Sequence, residues 1–94
     1  MILKFSCEDN YEAEKLSSIF TLQKDGSLYV TEIVKVIENE VIVKLKDGSY
    51  HSILLKDPEN ALRLKKIFSQ ISSTQNKVIS TSYMENEMLM DLKW

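Results

Sequence analysis

Apolar and polar side chains alternate over residues 2–7, with Leu3, Phe5 and Cys7 on one side and Lys4 and Ser6 on the other, the signature of a strand buried on one face. The period then changes. Ala13, Leu16, Ile19 and Phe20 recur at the three- and four-residue intervals of a helix with a narrow apolar stripe. Asp9 or Asn10 can cap it by accepting an orphan amide proton of the first turn, and Glu12 and Glu14 suit its positive end. The helix is expected to stop near Thr21, because Lys24-Asp25-Gly26-Ser27 is turn chemistry in which glycine takes the positive φ.

Residues 28–37 are mainly β-branched or aromatic, which predicts a strand with Val30, Val34 and Val36 on one side and Tyr29, Thr31, Ile33 and Ile37 on the other. Glu38-Asn39-Glu40 reverses the chain, with Asn39 expected in the left-handed conformation. Taking Asn39 and Glu40 as the loop sets Val36 opposite Val43 and Val34 opposite Leu45. A two-residue change of loop length preserves that apolar face and a one-residue change destroys it. The returning strand alternates Val41, Val43 and Leu45 against Ile42, Lys44 and Lys46.

Asp47-Gly48 marks the next turn and leads into a strand over 49–55. Two indications conflict there. A tight Asp-Gly hairpin puts Tyr50, Ser52 and Leu54 on the inner side, whereas likeness to the first strand favours His51, Ile53 and Leu55; either the strand is apolar on both faces or a bulge at the junction re-aims it. Asp57 then caps a second helix with Pro58 at its first position. In it Ala61, Leu64, Ile67, Phe68 and Ile71 oppose Arg63, Lys66 and Gln70. A polar connector over 72–76, a strand over 77–84, and a final segment alternating Met88, Met90, Leu92 and Trp94 against Leu89, Asp91 and Lys93 complete the chain; Met84, Met88 and Leu92 also match a helical spacing, and likeness to an earlier stretch decides for a strand.

Two stretches recur. V-I-E-N-E-V-I-V-K-L-K at 36–46 returns as Y-M-E-N-E-M-L-M-D-L-K at 83–93, with 5 identical positions. Asp9, Ala13, Lys15, Leu16, Ile19 and Phe20 return in order as Asp57, Ala61, Arg63, Leu64, Ile67 and Phe68. The expected organisation is one domain made of two copies, 1–47 and 48–94, of a β-α-β-β unit. Each half alone is too small to bury its apolar side, so the halves must share a core. The fold class expected is α+β, an internally duplicated unit forming one antiparallel sheet with two helices on one face and an approximate twofold between the halves. In topology alone this resembles a domain of the ring-shaped DNA clamps or the saddle-shaped TATA-binding fold, and it carries no residue motif of either.

Charge changes this picture little. The 94 residues carry 12 Lys and Arg against 14 Asp and Glu, a net charge of −2, so no global field selects nucleic acid or an anionic membrane. No apolar run reaches the length of a membrane span, and the first residues are interrupted by charge too soon for a signal peptide. The single cysteine fits a reducing compartment, and a cytoplasmic location is expected. Abundant Lys, Ile, Asn and Ser suit an AT-rich genome such as that of many bacteria or phages.

Catalytic chemistry has little to draw on. Cys7 and His51, the one cysteine and the one histidine, lie on corresponding first strands and are the only thinkable nucleophile and base. Burial of Cys7 as a small hydrophobe accounts for it equally well. No spacing resembles a zinc or calcium site, no glycine-rich phosphate loop is present, and no cofactor is expected.

Binding is the better-supported class. Ile33, Ile37, Ile42 and Ile53 are expected on the sheet side away from the helices, with Lys35, Lys44 and His51, a mixture too apolar to stay uncovered. Glu38, Glu40, Glu85 and Glu87 are expected at two similar hairpin tips that suit a basic partner or imitate spaced phosphates; solvated turn residues are the plainer account. Lys35, Lys44, Lys46, Arg63 and Lys66 form the alternative, a nucleic-acid backbone contact. The expectation is thus a small non-catalytic module binding an unidentified protein, self-associating as a dimer, of the size of a phage or mobile-element regulator or inhibitor.

Overall fold

The computed structural model describes residues 1–73 and 77–93; Trp94 and residues 74–76 of the expected connector lie outside them. Eight elements follow in chain order: β1 (Ile2–Ser6), α1 (Asn10–Ile19), β2 (Val30–Ile37), β3 (Glu40–Leu45), β4 (Tyr50–Leu54), α2 (Pro58–Ser73), β5 (Lys77–Met84) and β6 (Glu87–Lys93). Both helices begin as the sequence predicts. Asp9 Oδ1 accepts the Glu12 amide at 2.9 Å and Asp57 Oδ1 the Asn60 amide at 2.8 Å, each satisfying an amide that the helix leaves unpaired.

The strands form two antiparallel sheets of three, ordered β1-β6-β5 and β2-β3-β4, in place of the single sheet expected. Each sheet draws on both halves of the chain, since β1 pairs with β6 and β4 with β3. The sheets meet at one antiparallel bridge, Cys7 to Leu55, flanked by bonds from Glu8 N to Leu54 O (3.0 Å) and from Lys56 N to Ser6 O (2.9 Å). Pairing stops there because both strands run directly into helix caps at Asp9 and Asp57, leaving no extended backbone to continue the ladder.

One core lies between strands and helices. Phe5, Cys7, Val41, Val43, Leu45, Ile53, Leu55, Met88, Met90 and Leu92 point inward and pack with Ala13, Leu16, Ile19 and Phe20 of the first helical segment and Ala61, Leu64 and Ile71 of the second. α1 lies against β4, β5 and β6, and α2 against β1, β2 and β3. The Phe20 and Phe68 rings meet edge to face, centroids 6.1 Å apart, a favoured aromatic geometry.

Two turns settle the strand registers. Gly48, at φ +88°, donates its amide to Leu45 O at 2.9 Å, and Leu45 N bonds Ser49 O at 2.8 Å. The loop therefore holds three residues with glycine in the left-handed position, a bulged hairpin. That extra residue turns His51, Ile53 and Leu55 to the inner side and resolves the conflict in their favour. The second correction concerns β2. Its loop is Glu38-Asn39, with Ile37 opposite Glu40 and Val36 opposite Val41, two residues from the expected register, so Val36 keeps its inward face. Irregularities between Val30 and Glu32 and between Ile33 and Lys35 then turn Ile33 inward opposite Val43 and leave Val34 exposed. Glu38 and Glu85, rather than the asparagines, take the left-handed conformation, at φ +54° and +55°.

Candidate interaction surface

The asparagines do something else. Asn39 accepts the Leu55 amide on its backbone carbonyl at 2.8 Å and donates its side-chain amide to Leu55 O at 2.9 Å. Asn86 does the same to Cys7, at 2.7 and 3.1 Å. Each side chain thus completes the hydrogen bonding of a strand end that the ladder no longer reaches. The Glu-Asn-Glu segments accordingly lie beside the Cys7–Leu55 junction in the middle of the molecule and do not project as tips. Glu38 and Glu85 are exposed there, while Glu40 and Glu87 are partly covered, and Ser52 Oγ donates to Glu40 Oε2 at 2.5 Å.

Alternation along the strands and the pairing registers define the side of the sheets away from the helices. On β2-β3-β4 three rows cross it: Ile37, Glu40, Leu54; then Lys35, Ile42, Ser52; then Glu32, Lys44, Tyr50. On β1-β6-β5 the rows are Ser6, Glu87, Met84; then Lys4, Leu89, Ser82; then Ile2, Asp91, Ser80. Exposure is high for Ile37 (42%), Tyr50 (61%), Ile2 (65%) and Met84 (68%), with Ile42, Leu54 and Leu89 half-buried between them. Lys44 Nζ stands 5.9 Å from the Tyr50 ring centroid and the Asp91 carboxylate 3.7 Å from the Met1 amine.

Of the four isoleucines expected on this side, Ile37 and Ile42 are there. Ile53 is fully buried and Ile33 packs against the core, because the bulges in the Asp47-Gly48 turn and in β2 reverse their alternation. The same shifts bring in Leu54 and Tyr50, which the sequence argument had left open, while Leu89, Met84 and Ile2 are revealed only by which strands pair.

The five cations proposed for nucleic acid are not brought to one surface. Lys35 and Lys44 face outward on the sheet, whereas Arg63 and Lys66 are on α2. Arg63 stands over the ring of buried Phe5 with Cζ 4.5 Å from its centroid. Lys46 is committed to Asp25 Oδ2 at 2.9 Å and Ser27 Oγ at 2.6 Å.

No family model, curated protein or solved structure matches this chain.

Cys7 and His51 do not meet. Leu55, the bridge partner of Cys7, is four residues along from His51, about 13 Å of strand. Burial, with the Glu12 and Asp9 carboxylates adding to it, pushes the Cys7 thiol up to about 12, opposite to the shift of a reactive cysteine. Glu12 is itself nearly buried; its Oε2 accepts no hydrogen bond and is neutralised by Lys15 Nζ at 3.0 Å. Asp25 is held well below the usual carboxylate range and Asp47 is lowered, chiefly by Ser27 and Ser49, whose hydroxyls each donate at 2.6 Å. Among the described residues no cluster of His, Cys, Asp and Glu could hold a metal, and no helix is long and apolar enough to cross a membrane.

Proposed function

We propose that this chain is a small non-catalytic protein-interaction module that engages a protein partner through the outer side of its two sheets, in the manner of a regulator or inhibitor acting by occupancy. The observation that carries the reading is the exposure of Ile2, Ile37, Tyr50 and Met84 on one side of a molecule, joined by half-buried Ile42, Leu54 and Leu89. Large apolar side chains gathered on one side in this way suit a surface that something covers. A surface built from paired strands is already ordered, so binding loses little conformational entropy.

The chain is further read as two copies of one strand-helix-strand-strand unit that have exchanged their first strands. Three pairs of like contacts support this: the caps at Asp9 and Asp57, the double bonds of Asn39 and Asn86, and the left-handed Glu38 and Glu85. Exchange explains why neither half needs a core of its own.

The test is substitution on each side. Ile42→Lys and Leu89→Lys are expected to stay within about 1 kcal/mol of parental stability and to abolish capture of the partner from extracts of the producing cells. Leu62→Lys, at an exposed position of α2, is expected to leave capture intact. Loss of capture by Leu62→Lys alone refutes the assignment of the face.

A further inference from the structure

Lys-Asp-Gly-Ser occurs twice, at 24–27 and 46–49, and in both copies the aspartate and glycine are exposed, with the glycine at positive φ, +85° and +88°. We infer that Asp47-Gly48 is a site of spontaneous backbone isomerisation, with water as the only other reactant, and that Lys46 holds Asp25-Gly26 against the same reaction. The Gly48 nitrogen attacks Asp47 Cγ; the N–Cγ bond forms, the carboxyl C–OH bond breaks, and the hydroxyl leaves with the amide proton as water, closing a five-membered imide. Water then adds to either imide carbonyl. Opening at Cγ restores aspartate, and opening at the main-chain carbonyl leaves Gly48 joined through Cγ, an isoaspartate of unchanged mass. Glycine, lacking Cβ, leaves its own nitrogen open to approach, and nothing lies within 4 Å of where a Cβ would stand at Gly26 or Gly48.

Bonds at both reacting groups oppose the reaction in each turn. The glycine amide is occupied, Gly26 donating to Gln23 O and Gly48 to Leu45 O, both at 2.9 Å. The carboxylate is occupied too, one oxygen accepting the serine amide at 2.9 Å and the serine hydroxyl at 2.6 Å in both turns. The turns differ at the second oxygen. Asp25 Oδ2 accepts from the Lys46 ammonium at 2.9 Å, whereas Asp47 Oδ2 accepts only from the Tyr29 hydroxyl at 3.3 Å. A neighbouring positive charge keeps a carboxyl ionised, and only the neutral acid can lose its hydroxyl as water. Fraying of the exposed hairpin end, which a folded chain undergoes at little cost, frees the Gly48 amide. The product matters because this turn fixes how β4 lies on β3. Isoaspartate lengthens the three-residue loop by one main-chain atom and withdraws the carboxylate from Ser49, next to the Lys44–Tyr50 pair.

Prolonged incubation of the full chain at neutral pH, followed by peptide mapping and enzymatic methylation of isoaspartate, tests this with the parent and Lys46→Met, each folded and in urea. In urea both Asp-Gly pairs should convert at similar rates. In the folded parent Asp47 should convert severalfold faster than Asp25, and Lys46→Met should raise conversion at Asp25 severalfold while leaving Asp47 close to its parental rate. Protein carrying isoaspartate at position 47 should unfold at a lower urea concentration than the parent. A folded parent in which Asp47 stays intact while the urea sample converts overturns the site. Asp25 converting as fast as Asp47 in the folded parent, or unmoved by Lys46→Met, overturns the role given to Lys46. An unchanged melt of the converted protein overturns the effect on the turn.

Discussion

At the scale of single residues the costliest choices are the two left-handed glutamates. A side chain at positive φ brings Cβ against the following carbonyl at about 1–2 kcal/mol, which glycine avoids. Glu38→Gly is therefore expected to raise stability by about 0.5–1 kcal/mol in a urea melt, whereas Glu38→Ala gains nothing; equal melts for the two variants would show that the turn is unstrained. Cys7 makes a second demand. Its thiol titrates at about 12 in the folded chain against 9.0 as the ordinary value, so the native state holds the proton more tightly. The resulting stability is fully present below pH 9 and drains away as the pH rises toward 12. Cys7→Ala, less stable at neutral pH through its cavity, should show the shallower decline across that alkaline range, with melts of both proteins at several pH values as the check. The caps Asp9 and Asp57 were legible from sequence because their bonds are local. The task of Asn39 and Asn86 was not, since Leu55 is 16 residues away from one and Cys7 79 from the other.

Among the elements, the sequence pattern located both helices and the six strands of the described residues, β6 only through its likeness to residues 36–46, since its apolar spacing fits a helix as well. It failed on facing in β2, where an irregular backbone lets Ile33 and Val36 both point inward despite their odd spacing. A bulge has no dependable sequence marker in a run of β-branched residues, whereas the bulge at Gly48 was foreseeable from its glycine and from the conflict it resolved. The helices differ in how they are anchored. Phe20 is fully buried and meets Phe68 edge to face, and Phe68 is itself only partly covered. Phe20→Ala should thus fall in the range of about 3–5 kcal/mol, and Phe68→Ala should cost clearly less. A chemical melt ranking Phe68 above Phe20 would contradict the packing described.

On the scale of the whole molecule, pairing of β1 with β6 and of β4 with β3 divides the strands into two triplets joined at Cys7–Leu55 while keeping one core beneath them. Sequence repetition led to the expectation of two units in one sheet. It could not reveal that β1 pairs with β6 instead of its own hairpin, because strand pairing depends on long-range contacts that leave no local pattern. That pairing is why Leu89 and Met84 join the outer face, whereas the bulged turn at Gly48 takes Ile53 out of it. The outer face is proposed to meet protein, and a photo-crosslinking amino acid reads that contact directly. Placed at Ile42 in cells producing the chain, it should form a protein adduct, of twice the chain mass if the partner is a second copy; placed at Leu62 it should form none. Adducts from Leu62 with none from Ile42 would contradict the account.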